Sequence, residues 1–233
     1  MIRFSIWLIA LVLLGASQLV VAEKTNATPT AVPSSSMATL FDGKSLDNWI
    51  QVPPNSWEIK DGVMASNGAG RGVIYTKGDY SHYRLTFTMR HVSGKPDHQA
   101  AVLIFCTRPL EGQKPLDALA GIQLQPPSGG HWDYRPGHNN NGKEEFTSPK
   151  HSKFDAHEWS QVEILVDATK GTARMAVAQP VGSKAVEVLV FKVPDAGKAG
   201  PIAWQMHNKG LFDEYRDVRI EVDPKDDELI TVK

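Results

Sequence analysis

Gln205 and His207 close a short run near the end of the chain, Pro201-Ile-Ala-Trp-Gln-Met-His207. Gln123 and Gln125 alternate with Ile122 and Leu124 in an earlier run. In an extended strand, successive side chains point to opposite faces. Ile202, Trp204 and Met206 therefore take one face, and Ala203, Gln205 and His207 the other. Each run pairs an apolar face with a face of long amides or an imidazole. A solvated outer face is the plainer alternative for each run; long amides and an imidazole in place of Lys, Glu or Thr favour polar faces that together line one groove. Imidazole is the side chain best able to take and return a proton near neutrality. Amides beside it would orient the hydroxyls or carbonyls of whatever it acts on.

A third group of reactive side chains lies in Pro126–Gly142, where glycines and prolines predict a loop. Trp132 and Tyr134 offer flat apolar faces, while His131, Asp133, Arg135 and His138 supply donors and acceptors. Sugars need this mixture, since their C–H faces stack on aromatic rings and their hydroxyls demand paired hydrogen bonds. The plainer alternative is that Trp132 only plugs the core. His131 and Asp133, with His138 or His207, could gather around a divalent metal ion. No spacing matches a zinc signature, so no cofactor is assigned. No Gly-x-Ser-x-Gly marks a serine nucleophile. Asp133, Glu144 and Glu145 are available acids, but none stands in an alternating strand of the presumed groove, and a glycosidase carboxylate pair is not nominated.

The elements that must position these groups read as strands. Tyr83, Leu85, Phe87 and Met89 alternate with Arg84, Thr86, Thr88 and Arg90. Val162, Ile164 and Val166 do the same, as do Ala173, Met175 and Val177, and Val218, Ile220 and Val222. Val186, Val188 and Val190 predict one face of a further strand, and the unbroken apolar run Ala101–Cys106 predicts a central strand. Asp61-Gly62, Lys77-Gly78-Asp79, Ser93-Gly94 and Lys170-Gly171 are turn signals between them. Helical periodicity is missing, apart from a possible turn at Pro115–Ala120. About a dozen antiparallel strands in one domain imply an all-β sandwich or jelly roll.

Composition bounds the rest. A basic start at Arg3, an apolar run from Ile6 to Leu14 and Val20-Val21-Ala22 before Glu23 predict a signal peptide over residues 1–22. A flexible linker over 23–38, a domain over 39–225 and a tail over 226–233 complete the organisation. The expected location is periplasmic or secreted. The single cysteine, Cys106, excludes an internal disulfide, so the core itself must hold the fold. A formal net charge of −1 leaves no basic field for nucleic acid, and no basic amphipathic helix suggests a membrane surface. The expected partner is a carbohydrate.

Several motifs in order also resemble one family. They are Phe41-Asp-Gly-Lys-Ser-Leu-Asp-Asn-Trp49, Trp57-Glu-Ile-Lys-Asp-Gly-Val63, Ile74-Tyr-Thr76, Gly121-Ile-Gln-Leu-Gln125, Gly200–His207 and Tyr215-Arg-Asp-Val-Arg-Ile220. Together they resemble the 3-keto-disaccharide hydrolase domain family. The resemblance implies a concanavalin A-like jelly roll acting on glycosides already oxidised at C3 of the sugar. A C3 ketone acidifies the proton on C2, whose removal lets the C1 substituent leave before water adds. The resemblance then implies His207 as base, Gln123 and Gln205 as sugar-orienting groups, and Arg135 or a bound cation as enolate stabiliser. The chain departs from the family pattern at His98-Gln-Ala-Ala101, where Asn-Ser-Gly is common, and at Gly121, where an acidic residue is common. A non-catalytic glycan-binding module and an envelope interaction domain stay open beside the enzyme.

Overall fold

The computed structural model describes residues 37–95, 101–138 and 153–232. The predicted leader, nearly all of the linker, His98, Glu144 and Glu145 lie outside them. Fourteen strands form two antiparallel sheets among the described residues. The larger runs β12 (Val186–Lys192), β11 (Thr172–Ala178), β10 (Ser160–Asp167), β6 (His82–Ser93), β14 (Phe212–Val222), β4 (Val63–Ser66) and β3 (Trp57–Lys60), with β1 (Ala38–Phe41) also on β14. The smaller runs β2 (Trp49–Val52), β5 (Gly72–Thr76), β13 (Ala203–Met206), β7 (Ala101–Ile104), β8 (Ile122–Gln125) and β9 (Gly130–Asp133). The only helical piece among the described residues is a 3-10 turn at Pro194–Ala196, and no helix there is long and apolar enough to cross a membrane.

The alternation read from the sequence becomes the core. Leu85 stands opposite Ile164 on one side and Ile220 on the other, and all three are buried. Trp204 of β13 meets them from the smaller sheet, its ring centroid 4.7 Å from Trp49, 5.4 Å from Tyr215 and 5.7 Å from Phe87. Such edge-to-face pairs add about 0.5–1.5 kcal/mol each beyond their burial. By anchoring β13 through Trp204 and Met206, this cluster forces Ala203 and Gln205 to the outer face of the smaller sheet.

Alternation fails where a strand carries an extra residue. In β14 the register shifts between Arg216 and Arg219, with Asp217 in the left-handed region at φ 54°. The bulge lets Tyr215 and Val218 both face the core. Val222 is exposed, at the end of the pairing with β6. In β12 a shift opposite Met175 and Ala176 corrects the expectation that Val186, Val188 and Val190 share a face. Leu189 and Phe191 join Val188 in the core, whereas Val186 and Val190 are exposed. The segment after β14 packs on the outer face of the larger sheet. Leu229 joins Leu165, Ala176, Ala178 and Ala185, and Glu163 accepts the backbone N–H groups of Ile230 and Thr231 at 2.9 and 2.8 Å.

Candidate functional site

Strand register decides which side chains share the outer face of the smaller sheet. Gln205 pairs with Ala101 of β7 and Val73 of β5, while Leu103 pairs with both Ala203 and Gln123. Paired residues of an antiparallel sheet lie on the same face. Gln123, Gln125 and Gln205 therefore share one side, each at least 98 % buried. They are buried because the chain after β7 folds back over that face. Phe105, in the left-handed region at φ 52°, lets Ile104 and Phe105 both enter the core and turns Cys106 outward, where Leu119 packs with it. Burial pushes the Cys106 thiol up to about 12, so it is an inert packing group rather than a nucleophile.

The same covering loop delivers a carboxylate. Pro115–Ala118 forms one turn rather than a helix, with Ala118 N–H donating to Pro115 C=O, and Gln113 braces it through Ala118 C=O at 2.8 Å. Asp117, with no exposed side-chain surface, sits between Gln205, His207 and Arg71. Arg71 donates to it through Nε at 2.7 Å and Nη2 at 3.1 Å. Gln205 Nε2 donates at 3.1 Å to the carboxylate and at 2.9 Å to the Asp117 carbonyl. His207 Nδ1 lies 2.9 Å from Oδ2. Burial opposes ionisation of Asp117, but the hydrogen bonds from His207 and Arg71, and their charges, outweigh it and hold its carboxyl below the usual carboxylate range.

An ionised carboxylate only accepts hydrogen bonds. That one fact orients its neighbours. His207 must donate Nδ1–H, which in the neutral ring puts the lone pair on Nε2, so the 3.5 Å approach of Arg71 Nη2 to Nδ1 is proximity, not a hydrogen bond. Gln205 must turn its NH2 to Asp117 and its oxygen to Gln123, whose Nε2 donates to it at 2.6 Å. Gln123 Oε1 is then left as a buried acceptor without a partner, and Gln125 Oε1 is a second one. Two orphaned buried acceptors are costly unless a hydroxyl or water donates to them.

The residues expected from the 126–142 loop divide differently. Residues 130–133 are strand β9, not loop, and Gln123 pairs with Trp132. Trp132 thus shares the glutamine face, with the ring of Tyr134 nearly parallel to it at 16°. Leu124 pairs with His131 and Ile122 with Asp133, which sends both to the opposite face. His131 packs edge-on against the core residue Phe191, 5.0 Å between centroids. Asp133 is held bidentately by Arg135 and approached by His138 at 3.4 Å, and Arg135 also reaches Asp195. Burial opposes ionisation of Asp133 too, and the Arg135 hydrogen bonds override it. Arg135, expected beside His207, is placed instead with Asp133 and Asp195; the guanidinium beside His207 is Arg71. His131, Asp133 and His138 do not assemble a metal site with His207. The one trio of close metal-ligating groups among the described residues, His82, Asp167 and Asp227, has the Lys170 ammonium 2.9 Å from Asp167 and 2.5 Å from Asp227.

Sequence reasoning missed Asp117 and Arg71. A signal existed for Asp117, an acid set among Leu116, Ala118 and Leu119. Arg71 carried none. Asp117 also bears on the departure at Gly121. A Cβ at that position would lie 2.6 Å from Cys106 Cβ and 2.8 Å from the Ile104 carbonyl oxygen, so this backbone admits no side chain there. The carboxylate beside His207 belongs to Asp117, four residues upstream of Gly121.

Comparison with known proteins gives the family and the fold. The sequence profile of the 3-keto-alpha-glucoside-1,2-lyase-like domain matches residues 36–221. The chain belongs to this family. Among solved structures, it is similar to a protein of Parabacteroides distasonis ATCC 8503 described provisionally as a glycosyl hydrolase (TM-score 0.53, 17 % identity, 80 % of this chain and 98 % of that one). It is also similar to winged bean acidic lectin in complex with methyl-alpha-D-galactose (0.53, 10 % identity, 79 % and 96 %). The carbohydrate binding module CBM66 from Bacillus subtilis is a third (0.51, 10 % identity, 75 % and 95 %). At such identities the likeness is one of fold, a lectin-like jelly-roll sandwich. No curated protein matches the chain in sequence.

Proposed function

We propose that this domain cleaves glycosides carrying a ketone at C3. His207 Nε2 takes the C2 proton, and the electrons of that C–H bond form the C2–C3 enolate. The enolate re-forms the ketone as the C1–O bond breaks, leaving a C1–C2 double bond, and the departing alkoxide takes up a proton. Water then adds across C1–C2 to give the free 3-keto sugar. Asp117 holds the imidazole in the tautomer that leaves Nε2 basic, and Arg71 supplies positive charge beside the forming enolate. The acceptors on Gln123 and Gln125 suit sugar hydroxyls.

The observation that carries this reading is the 2.9 Å contact between His207 Nδ1 and buried Asp117, on the face that holds the glutamines. A lectin-like module needs amides and rings but no oriented base. The test is release of p-nitrophenol from p-nitrophenyl 3-keto-glucosides by wild type and His207→Ala. The variant should lose at least about a hundredfold in rate, the lower end of general base catalysis. Normal turnover by His207→Ala would reject the assignment. A wild-type protein that binds glucosides yet never releases the phenol would instead be the non-catalytic module.

A further inference from the structure

The outer face of the larger sheet, across the sandwich from Asp117 and His207, carries a second cluster that the proposed reaction does not use. Trp159 directly precedes β10 and is half-buried. Its ring centroid lies 4.2 Å from the guanidinium carbon of Arg216 and 4.7 Å from that of Arg90. Arg90 is fixed by Glu214, with Nε donating to Oε2 at 2.6 Å. Arg216 stands at the bulge of β14, where Asp217 takes the left-handed conformation. Bulges re-aim side chains and recur beside binding sites. Here the result is a guanidinium laid on an indole with its Nε–H out of water and without a hydrogen-bond partner, the nearest Asp217 oxygen being 3.8 Å away.

Beside this pair opens a cavity of about 520 Å³ lined by Glu158, Trp159, Gln179, Pro180, Val181 and Arg216. Small-molecule sites commonly measure about 300–1,000 Å³. Its wall is braced, because Gln179 spends its amide on Asp155 N–H at 2.8 Å, Asp155 C=O at 2.7 Å and Ser160 Oγ at 2.8 Å. The remaining chemistry is specific in kind. Trp159, Pro180 and Val181 are apolar, Arg216 is a donor with an unspent N–H, and Glu158 is an acceptor. The lining thus carries one charge of each sign, Arg216 and Glu158, rather than a cluster of one sign. A ring with apolar C–H faces and adjacent hydroxyls that both donate and accept matches all three demands.

We propose that this pocket is a second saccharide site, which binds a neutral hexopyranose unit of an oligosaccharide with its hydroxyls bridging Arg216 and Glu158. It holds glycan on the sheet opposite the dyad and takes no part in bond cleavage. The test follows the indole N–H resonance of Trp159 in the 15N-labelled protein, assigned by its loss in Trp159→Phe. Cellohexaose, maltohexaose and laminarihexaose serve as neutral probes, and a galacturonate hexamer as a charged one. At least one neutral probe should shift the Trp159 signal saturably at millimolar concentration, and Arg216→Ala and the milder Arg216→Gln should both weaken that binding about tenfold. His207→Ala should leave it unchanged, so failure here and failure of the cleavage reading are separately visible. No shift with any neutral hexaose, wild-type affinity in both Arg216 variants, or tighter binding of the galacturonate would each overturn the proposal.

Discussion

Asp117→Asn tests how far the site depends on one buried charge. Asp117 accepts from Arg71 Nε at 2.7 Å, Arg71 Nη2 at 3.1 Å, Gln205 Nε2 at 3.1 Å and His207 Nδ1 at 2.9 Å. An amide meets some of those donors with an NH2 and cannot accept all four. Hydrogen bonds to a charged group each contribute about 1.5–3 kcal/mol net. Arg71 and His207 are 43 % and 34 % exposed, so both regain water once released. The stability loss should therefore be near that of a single bond, about 2 kcal/mol, or ~4–8 °C in Tm for a chain of this size. Because the carboxyl is held below its usual range, its contribution is present at neutral pH and is lost as pH falls through the folded-state value. The gap between wild type and variant should accordingly close in acid, below about pH 4. The rate should suffer more than the fold. Without an obligate acceptor, His207 can rotate or carry its proton on Nε2, and kcat should fall about 10²–10³-fold with KM less affected. Phenol release from p-nitrophenyl 3-keto-glucoside, with Tm measured on the same sample, reads both. A folded Asp117→Asn protein keeping more than about a third of wild-type kcat would refute the orienting role.

Two further outcomes follow from the packing of the two sheets. Gly121→Asp restores the acid common in the family, yet its Cβ would meet Cys106 Cβ at 2.6 Å. It should cost at least about 1–3 kcal/mol in denaturant unfolding and gain no rate; unchanged stability with faster turnover would show that Asp117 does not fill that role. Asp213 and His91 form a fully buried pair at 2.7 Å, and burial pushes the Asp213 carboxyl up to about 6 against the pull of His91. Its native state thus binds a proton more readily than the unfolded chain, so this group makes the protein more stable at pH 5 than at pH 7, by about 1 kcal/mol. Urea unfolding at the two pH values should show that gain shrink in Asp213→Asn, and an identical pH dependence in the variant would contradict it.

What could be read from the chain alone was everything governed by nearest neighbours. The period of two in Tyr83–Met89, Val162–Val166 and Ala203–Met206 dictated which side chains are apolar together, and the core is built on that parity. The same parity separated Gln205 from Trp204 and Gln123 from Leu124, because opposite faces of a strand are a local property of its backbone. The family motifs, being short and ordered, were legible for the same reason. Single inserted residues defeated this reasoning. At Asp217 and opposite Met175 the register slips by one, and no pattern of apolar residues announces where a bulge will fall.

The site itself was decided by distant segments. Asp117 meets Arg71 across 46 residues and His207 across 90, through a loop with no periodicity of its own. Whether His131 or Trp132 joins the glutamines depended on how β8 pairs with β9, since a shift of one residue would exchange their faces. Charge pairing then separated the two guanidiniums that residue type left open, Arg135 to Asp133 and Arg71 to Asp117. Side-chain identity and alternation are written into the local backbone, whereas register, loop placement and the partner of each charge exist only once the two sheets have packed.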